Sequence, residues 1–183
     1  MTAPASWTVF LDRDGVLNRK APEGDYIRTP EAFAWLPGVL AALRALGDAG
    51  ARMIVVTNQR GVGRGLIQPA DLEAIHTRLR AEARDAGATV EGIFVCPHAG
   101  GTCDCRKPGI GLFQQAQRSF PAIDFHRAIM VGDNLSDMQA GRAIGARTVL
   151  VGQAARGMEA DATAASLADA VARLIIPWIT GGR

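Results

Sequence analysis

The chain has 183 residues, enough for one domain (1–183) with a substantial buried core, and its 48% hydrophobic and 21% charged content is that of a globular protein. Twenty Lys and Arg against eighteen Asp and Glu leave a formal net charge of +2, which offers no basic field for nucleic acid or an anionic membrane. No apolar run approaches the ~18 residues of a membrane span. Residues 1–6 lack the basic start and apolar core of a signal peptide, and three cysteines confined to 96–105 are not a disulfide framework. These features lead us to expect a cytoplasmic protein, and we take it as a monomer.

The first predicted element is a buried strand, Thr8 to Leu11, which runs directly into Asp12-Arg13-Asp14-Gly15. A parallel strand ending this way delivers both carboxylates to the carboxyl edge of a sheet, where open α/β folds keep their ligands. Acids at i and i+2 suit two jobs, one attacking or binding metal and one moving a proton. An exposed acidic turn would read the same in isolation. The polar stretch 18–37 follows, holding Pro22, Gly24, Pro30 and the lone tyrosine, Tyr26. It is long for a connection and reads either as a functional lid or as a solvated loop.

Pro37-Gly38 opens a helix with Val39, Leu43 and Leu46 on one face. A second strand, Met53 to Val56, leads into Thr57-Asn58-Gln59-Arg60-Gly61-Val62-Gly63-Arg64-Gly65. A hydroxyl, amides and three glycines after a strand read as a phosphate cradle, although the ending of a Walker loop is absent. The helix predicted over 69–86 carries Leu72, Ile75, His76, Leu79 and Ala83 on one stripe, which makes His76 a helix-face residue rather than a ligand.

Gly92 to Val95 is a third strand, and every cysteine follows it: Cys96, Cys103 and Cys105, with His98 among them. Four soft or borderline ligands within ten residues match tetrahedral zinc, and four protein ligands leave no open position, so the metal would be structural. Arg106 and Lys107 come next, a fork and a point charge fit to bind phosphate. A helix over 109–119 leads to a fourth strand, Ala128 to Val131, which ends in Gly132-Asp133-Asn134-Leu135-Ser136-Asp137. Acids gathered from two strand ends suit a hard cation, typically magnesium. A fifth strand, Arg147 to Val151, and an amphipathic helix over 167–176 complete the pattern.

As a set, the four strand-end motifs over Val9 to Val151 resemble the haloacid dehalogenase-like phosphatases. FLDRDGVLN, TNQRGVGRG, CPHAGGTCDCRKPG and MVGDNLSDMQAG are similar to the D-glycero-D-manno-heptose-1,7-bisphosphate 7-phosphatases, which make a precursor of bacterial surface-polysaccharide heptose. The resemblance implies an α/β, doubly wound, five-stranded parallel sheet in the order 5-4-1-2-3, with a zinc-stapled loop and no large cap domain. It implies Asp12 as nucleophile and Asp14, kept protonated by its surroundings, as general acid and base. Magnesium would rest on Asp12, the Asp14 carbonyl and Asp133, and zinc on Cys96, His98, Cys103 and Cys105. Thr57 and Lys107 would grip the transferring phosphoryl group of a small phosphorylated substrate. Asn58, Gln59 and Arg106 would contact the substrate, and Asp137 would support the site from behind.

Three departures qualify the resemblance. Only four residues separate His98 from Cys103, a spacing that also resembles histidinol-phosphate phosphatases. Asn134 stands where the heptose enzymes commonly have Lys, and Arg60 stands where a small residue is usual and could restore that cation. The 18–37 loop, bearing Tyr26, and the zinc loop are the candidates to close over a sugar, with Arg60, Arg64 and Arg106 placed to meet a second phosphate. The rival readings are a histidinol-phosphate phosphatase, a polynucleotide 3′-phosphatase and a non-catalytic zinc-binding interaction module.

Overall fold

A computed structural model describes residues 6–101, 103–152 and 159–181. Its centre is β1 (Thr8–Leu11), all of it buried, with parallel neighbours on both sides: β2 (Arg52–Asn58) and β4 (Ala128–Gly132). Outside these lie β3 (Val90–Cys96) against β2 and β5 (Arg147–Val151) against β4. A sixth strand, β6 (Ala162–Ala164), pairs with β5, so the sheet order is β3-β2-β1-β4-β5-β6. The expected order of five therefore stands, and the count of five is corrected to six. Ala-Thr-Ala is three residues of small side chains at a sheet edge, without the apolar run by which a strand is read from sequence.

Both faces of the sheet are covered, which is why its strands are continuous apolar runs rather than alternating ones. Val9, Leu11, Met53, Val55, Ile129 and Val131 face one layer, made by α1 (Val39–Asp48), α3 (Pro69–Asp85) and the C-terminal helical run. Phe10, Ile54, Val56 and Met130 face the other, made by α4 (Gly111–Ser119) and α5 (Leu135–Ala143). The predicted stripe of α3 is buried in full, His76 included. The C-terminal helix runs further than expected, through α6 (Leu167–Ala170), a π-helical turn (Val171–Ile175) and α7 (Ile176–Thr180).

Register converts this architecture into a site. Leu11 is level with Val55 on one side and Val131 on the other. Asp12, one residue past β1, is therefore flanked by Val56 and Gly132, and Thr57 and Asp133 lie one step further out. Three strands deliver their polar ends to one spot because they run parallel in aligned register, with Thr8, Arg52 and Ala128 level at the start.

The stretch 18–37 is anchored more firmly than a free loop. Arg19 and Leu36 donate to the carbonyls of Ala34 and Leu17 at 2.9 Å each, pairing the two ends of the stretch across its base. Phe33 is buried, Trp35 Nε1 donates to Glu82 of α3, and Arg78 donates to the carbonyl of Pro30. What is left to overhang the sheet edge is the segment 20–27.

Candidate active site

Over the carboxyl edge opens a cleft of about 350 Å³, lined by Asp12, Asp14, Thr57, Asn58, Gln59, Arg60, Arg106, Lys107, Asn134 and Asp137, with residues 20–27 along one wall. Every predicted catalytic side chain is there. Lys107 sits at the bottom, fully enclosed, and its ammonium donates to Asp12 Oδ1 at 2.8 Å and to the Val56 carbonyl at 2.7 Å. It also pairs with Asp137 Oδ1 at 2.7 Å. Burial opposes its charge, but Asp12 and Asp137 outweigh that and raise its pKa. Burial likewise raises the pKa of Asp12, against the pull of Lys107.

Asp14 differs from expectation. Its surroundings were read as keeping it protonated, yet they do the opposite. Burial works against its charge, but the Arg13 guanidinium and hydrogen bonds from Asn18 and Gln59 prevail and lower its pKa. Asn18 Nδ2 donates to Oδ1 at 2.9 Å, Gln59 Nε2 to Oδ2 at 2.7 Å, and Arg13 reaches both oxygens. Three donors on one carboxylate favour its ionised form. The proton this residue would give to a leaving group must therefore come when a phosphate dianion enters beside it.

Gly15 makes the crowding possible. Its φ is +93°, and a Cβ there would lie 2.0 Å from Asp133 Oδ2. Carboxylate oxygens of Asp12, Asp133 and Asp137 lie within 4.8 Å of one another. Asp137 is already committed, to Lys107 and to the Asn134 amide at 3.1 Å, as a supporting residue should be. Asp12 and Asp133 remain as hard oxygen donors of the kind magnesium takes, so the residues fit the ion. Lys20, from the overhanging wall, rests on Asp133 Oδ2 at 2.5 Å. It was missed from sequence because nothing in an exposed lysine marks its partner.

The substrate-contact residues divide. Asn58 lines the cleft, but its amide forms a reciprocal pair with the Lys107 backbone, donating to the carbonyl at 3.1 Å and accepting from the N–H at 3.0 Å. Gln59 is buried and holds Asp14 and Thr57 Oγ1, the latter at 2.9 Å. Both act in this structure as struts. Asn134 caps α5 and donates to Asp133 Oδ1 at 2.6 Å. At the mouth, the Tyr26 hydroxyl accepts from Arg60 Nε at 3.0 Å and from Arg64 Nη1 at 3.2 Å. Arg106 lines the cleft with its Nη1 buried and without a partner among the described residues.

The glycine run after β2 is not the cradle expected. Arg60–Gly63 is a short helix, α2. A Cβ at Gly63 would lie 2.6 Å from the Pro97 carbonyl, whose oxygen accepts from Gly63 N–H at 2.8 Å. The small residue is there to let the cysteine loop lie against α2. In that loop Cys96 Sγ is 3.6 Å from both His98 Nδ1 and Cys103 Sγ, and Cys105 Sγ is 3.3 Å from His98 Nδ1. Tetrahedral zinc with thiolate and imidazole ligands would need about 3.8 Å between sulfurs and about 3.6 Å from sulfur to nitrogen. Burial, with Cys96 and Cys103 alongside, pushes the Cys105 thiol up to about 12. Thiols this close ionise together only around a cation, so this donor set too fits its metal.

Known proteins agree with this geometry. The HAD-hydrolase-like family model matches residues 104–175. A D-glycero-alpha-D-manno-heptose-1,7-bisphosphate 7-phosphatase of Mycobacterium bovis is 41% identical over 167 residues, covering 88% of this chain and 87% of its own. The beta-named enzyme of Rhodopseudomonas palustris is 37% identical over 152 residues, covering 79% and 82%. The crystal structure of D,D-heptose 1,7-bisphosphate phosphatase from B. bronchiseptica, complexed with magnesium and phosphate, superposes with a TM-score of 0.81 at 31% identity. That match covers 92% of this chain and 98% of the other. With its acids at the ends of β1 and β4, its enclosed lysine and its cysteine loop, the chain belongs to the heptose-1,7-bisphosphate 7-phosphatase family of HAD-like hydrolases.

Proposed function

We propose that the chain is a phosphomonoesterase that removes the 7-phosphate of D-glycero-D-manno-heptose 1,7-bisphosphate. The observation that carries this is the convergence of Asp12, Asp14, Thr57 and Asp133 at three strand ends with Lys107 from beyond the cysteine loop, in a chain about 40% identical to enzymes of that name. A non-catalytic zinc module would leave these buried charges without a purpose. The three thiols suit a reducing compartment, and the reading puts the protein in the cytoplasm.

In this reading Asp12 Oδ attacks phosphorus in line, the ester oxygen leaves, and an aspartyl-phosphate forms. Asp12, Asp133 and the carbonyl of Asp14 would hold magnesium, which when bound neutralises the phosphate charge that would otherwise repel a carboxylate. Lys107 does the same from below, and the Thr57 hydroxyl donates to a phosphoryl oxygen. Asp14 gives its proton to the departing alkoxide, then takes one from the water that splits the acyl phosphate. Asp12 is thereby regenerated and inorganic phosphate is released.

The second phosphate needs its own cation. Arg106 is suited to it, because its orphaned Nη1 lacks an acceptor and its neighbour Cys105 is tied into the metal loop. Tyr26, Arg60 and Arg64 form a second polar cluster across the mouth. Phosphate release is to be measured from heptose bisphosphate of both anomers, from histidinol phosphate and from acetyl phosphate, with and without EDTA. The bisphosphate should be preferred and magnesium required. Arg106→Ala should lower kcat/KM for the bisphosphate by about ten- to a hundredfold, and much less for acetyl phosphate. Equal losses would move Arg106 to the transferring phosphate, and a preference for histidinol phosphate would overturn the substrate.

Zinc has a separate role in this scheme. Cys96, His98, Cys103 and Cys105 would hold it and so fix the backbone that carries Arg106 and Lys107. Elemental analysis of protein purified without chelator should find one zinc per chain. Stripping it should raise KM as well as lower kcat, since both cations shift. Zinc-free protein with unchanged kinetics would remove the metal from the account.

A further inference from the structure

Arg13 stands between the two catalytic acids in sequence, yet it faces away from the cleft and has no exposed surface at all. A buried guanidinium must find acceptors for its donors. Its Nη2 spends them on Asp14, at 3.0 Å to Oδ1 and 2.9 Å to Oδ2, with Nε at 3.3 Å from Oδ1. Nη1 lies 3.2 Å from Nε2 of His76, itself 2% exposed on the core face of α3. Arginine has no acceptor, so His76 Nε2 must be the unprotonated nitrogen. Burial and the adjacent Arg13 favour that form and lower the imidazole's pKa to about 3. A chain of contacts thus runs from α3 through His76 and Arg13 to Asp14, none of it touching the cleft except at its end.

We propose that Arg13 and His76 are positioning residues for phosphoryl transfer, which together hold the Asp14 carboxyl at the angle from which it exchanges protons with the leaving and attacking oxygens. The inference rests on the phosphatase reading above. It explains why a guanidinium is buried here when an apolar residue would fill the same space at lower cost. Asn18 and Gln59 also hold Asp14, one donor to each oxygen. Arg13 alone reaches both oxygens and is itself held from behind by His76, so it fixes the plane of the carboxyl.

A merely structural pair and a positioning pair differ in which substrates suffer when it is broken. An alkoxide leaving group needs the proton from Asp14, whereas 2,4-dinitrophenolate departs without one. His76→Leu removes the acceptor of Nη1 and frees the guanidinium. Its kcat on heptose bisphosphate should fall at least about tenfold with KM unchanged, a part of the 10²–10⁴ that proton transfer contributes. The burst of dinitrophenolate from 2,4-dinitrophenyl phosphate, which reports formation of the phosphoenzyme, should stay within about twofold of wild type. His76→Gln, whose amide oxygen can accept from Nη1, should recover most of the loss. Should His76→Leu not fold, Arg13→Lys carries the same comparison, since an ammonium cannot hold Asp14 and His76 in one plane.

Equal falls on the two esters, or a glutamine variant no better than leucine, would overturn the proposal. So would a leucine variant with wild-type kcat on the bisphosphate. Wild-type protein that released phosphate from neither ester would instead bring down the phosphatase reading, a result separable from these by the wild-type control alone.

Discussion

Asp12→Asn should abolish phosphate release, by at least about 10⁴-fold in kcat, while the protein folds normally. A neutral amide lacks the charge of a carboxylate and is too weak a nucleophile to attack phosphorus, and no second carboxylate can replace it. Asp137 is saturated by Lys107 and the Asn134 amide, and Asp14 by Arg13, Asn18 and Gln59. Folding should survive because burial already disfavours the Asp12 charge. Lys107 keeps Asp137 as its counter-ion when the Asp12 charge is removed. Asp14→Asn should fail differently, retaining some phosphoenzyme formation with leaving groups that need no proton. Trapping a phosphorylated chain from Asp14→Asn and none from Asp12→Asn would establish the order of events. Wild-type turnover by Asp12→Asn would end the covalent mechanism.

Lys107→Met should injure both activity and stability. The substitution keeps the side chain's bulk but leaves Asp12 and Asp137 facing each other in a space closed to water, where one ammonium now holds both. Breaking a buried ion pair from one side costs about 3–5 kcal/mol, and losing a cation aimed at the transferring phosphate should cost about 10²–10³ in kcat. Denaturant melts and kinetics on one preparation would check both halves. Millimolar magnesium should stabilise both proteins and the variant more, since the variant has uncompensated buried charge beside the acids that would hold the ion. A variant as stable as wild type would mean that the two acids are neutral in the resting protein.

Much of this site could be read in advance because its chemistry is local. Asp12, Thr57, Asp133 and Lys107 each lie within two residues of an apolar strand or of the cysteine loop, and parallel strands in aligned register bring such ends together. What escaped was pairing across distance. His76 and Arg13 are 63 residues apart, and a histidine on an apolar stripe looks the same whether or not a guanidinium waits opposite. The resemblance makes Gln59 and Asn58 ligand contacts, and only the folded chain reveals that they are occupied with Asp14 and with the Lys107 backbone. Gly63 was misread as a phosphate cradle for a related reason. Glycine marks close approach without saying what approaches, and here it is the chain itself. The ionisation of Asp14 was also inverted, since its pKa depends on three donors, of which only Arg13 is its sequence neighbour.

The hydroxyl at the mouth of the cleft has a practical side. Tyr26 is the one tyrosine in the chain, and it bridges Arg60 and Arg64 where substrate must pass. Three tryptophans would swamp its fluorescence, but biosynthetic replacement by 3-fluorotyrosine would place a single fluorine in the whole molecule. Its resonance would carry no background from the fold. The protein thus comes with one address for a spectroscopic label, at the spot where occupancy of the cleft, exchange of product and movement of the 20–27 wall would all be heard, and no residue need be mutated to put it there.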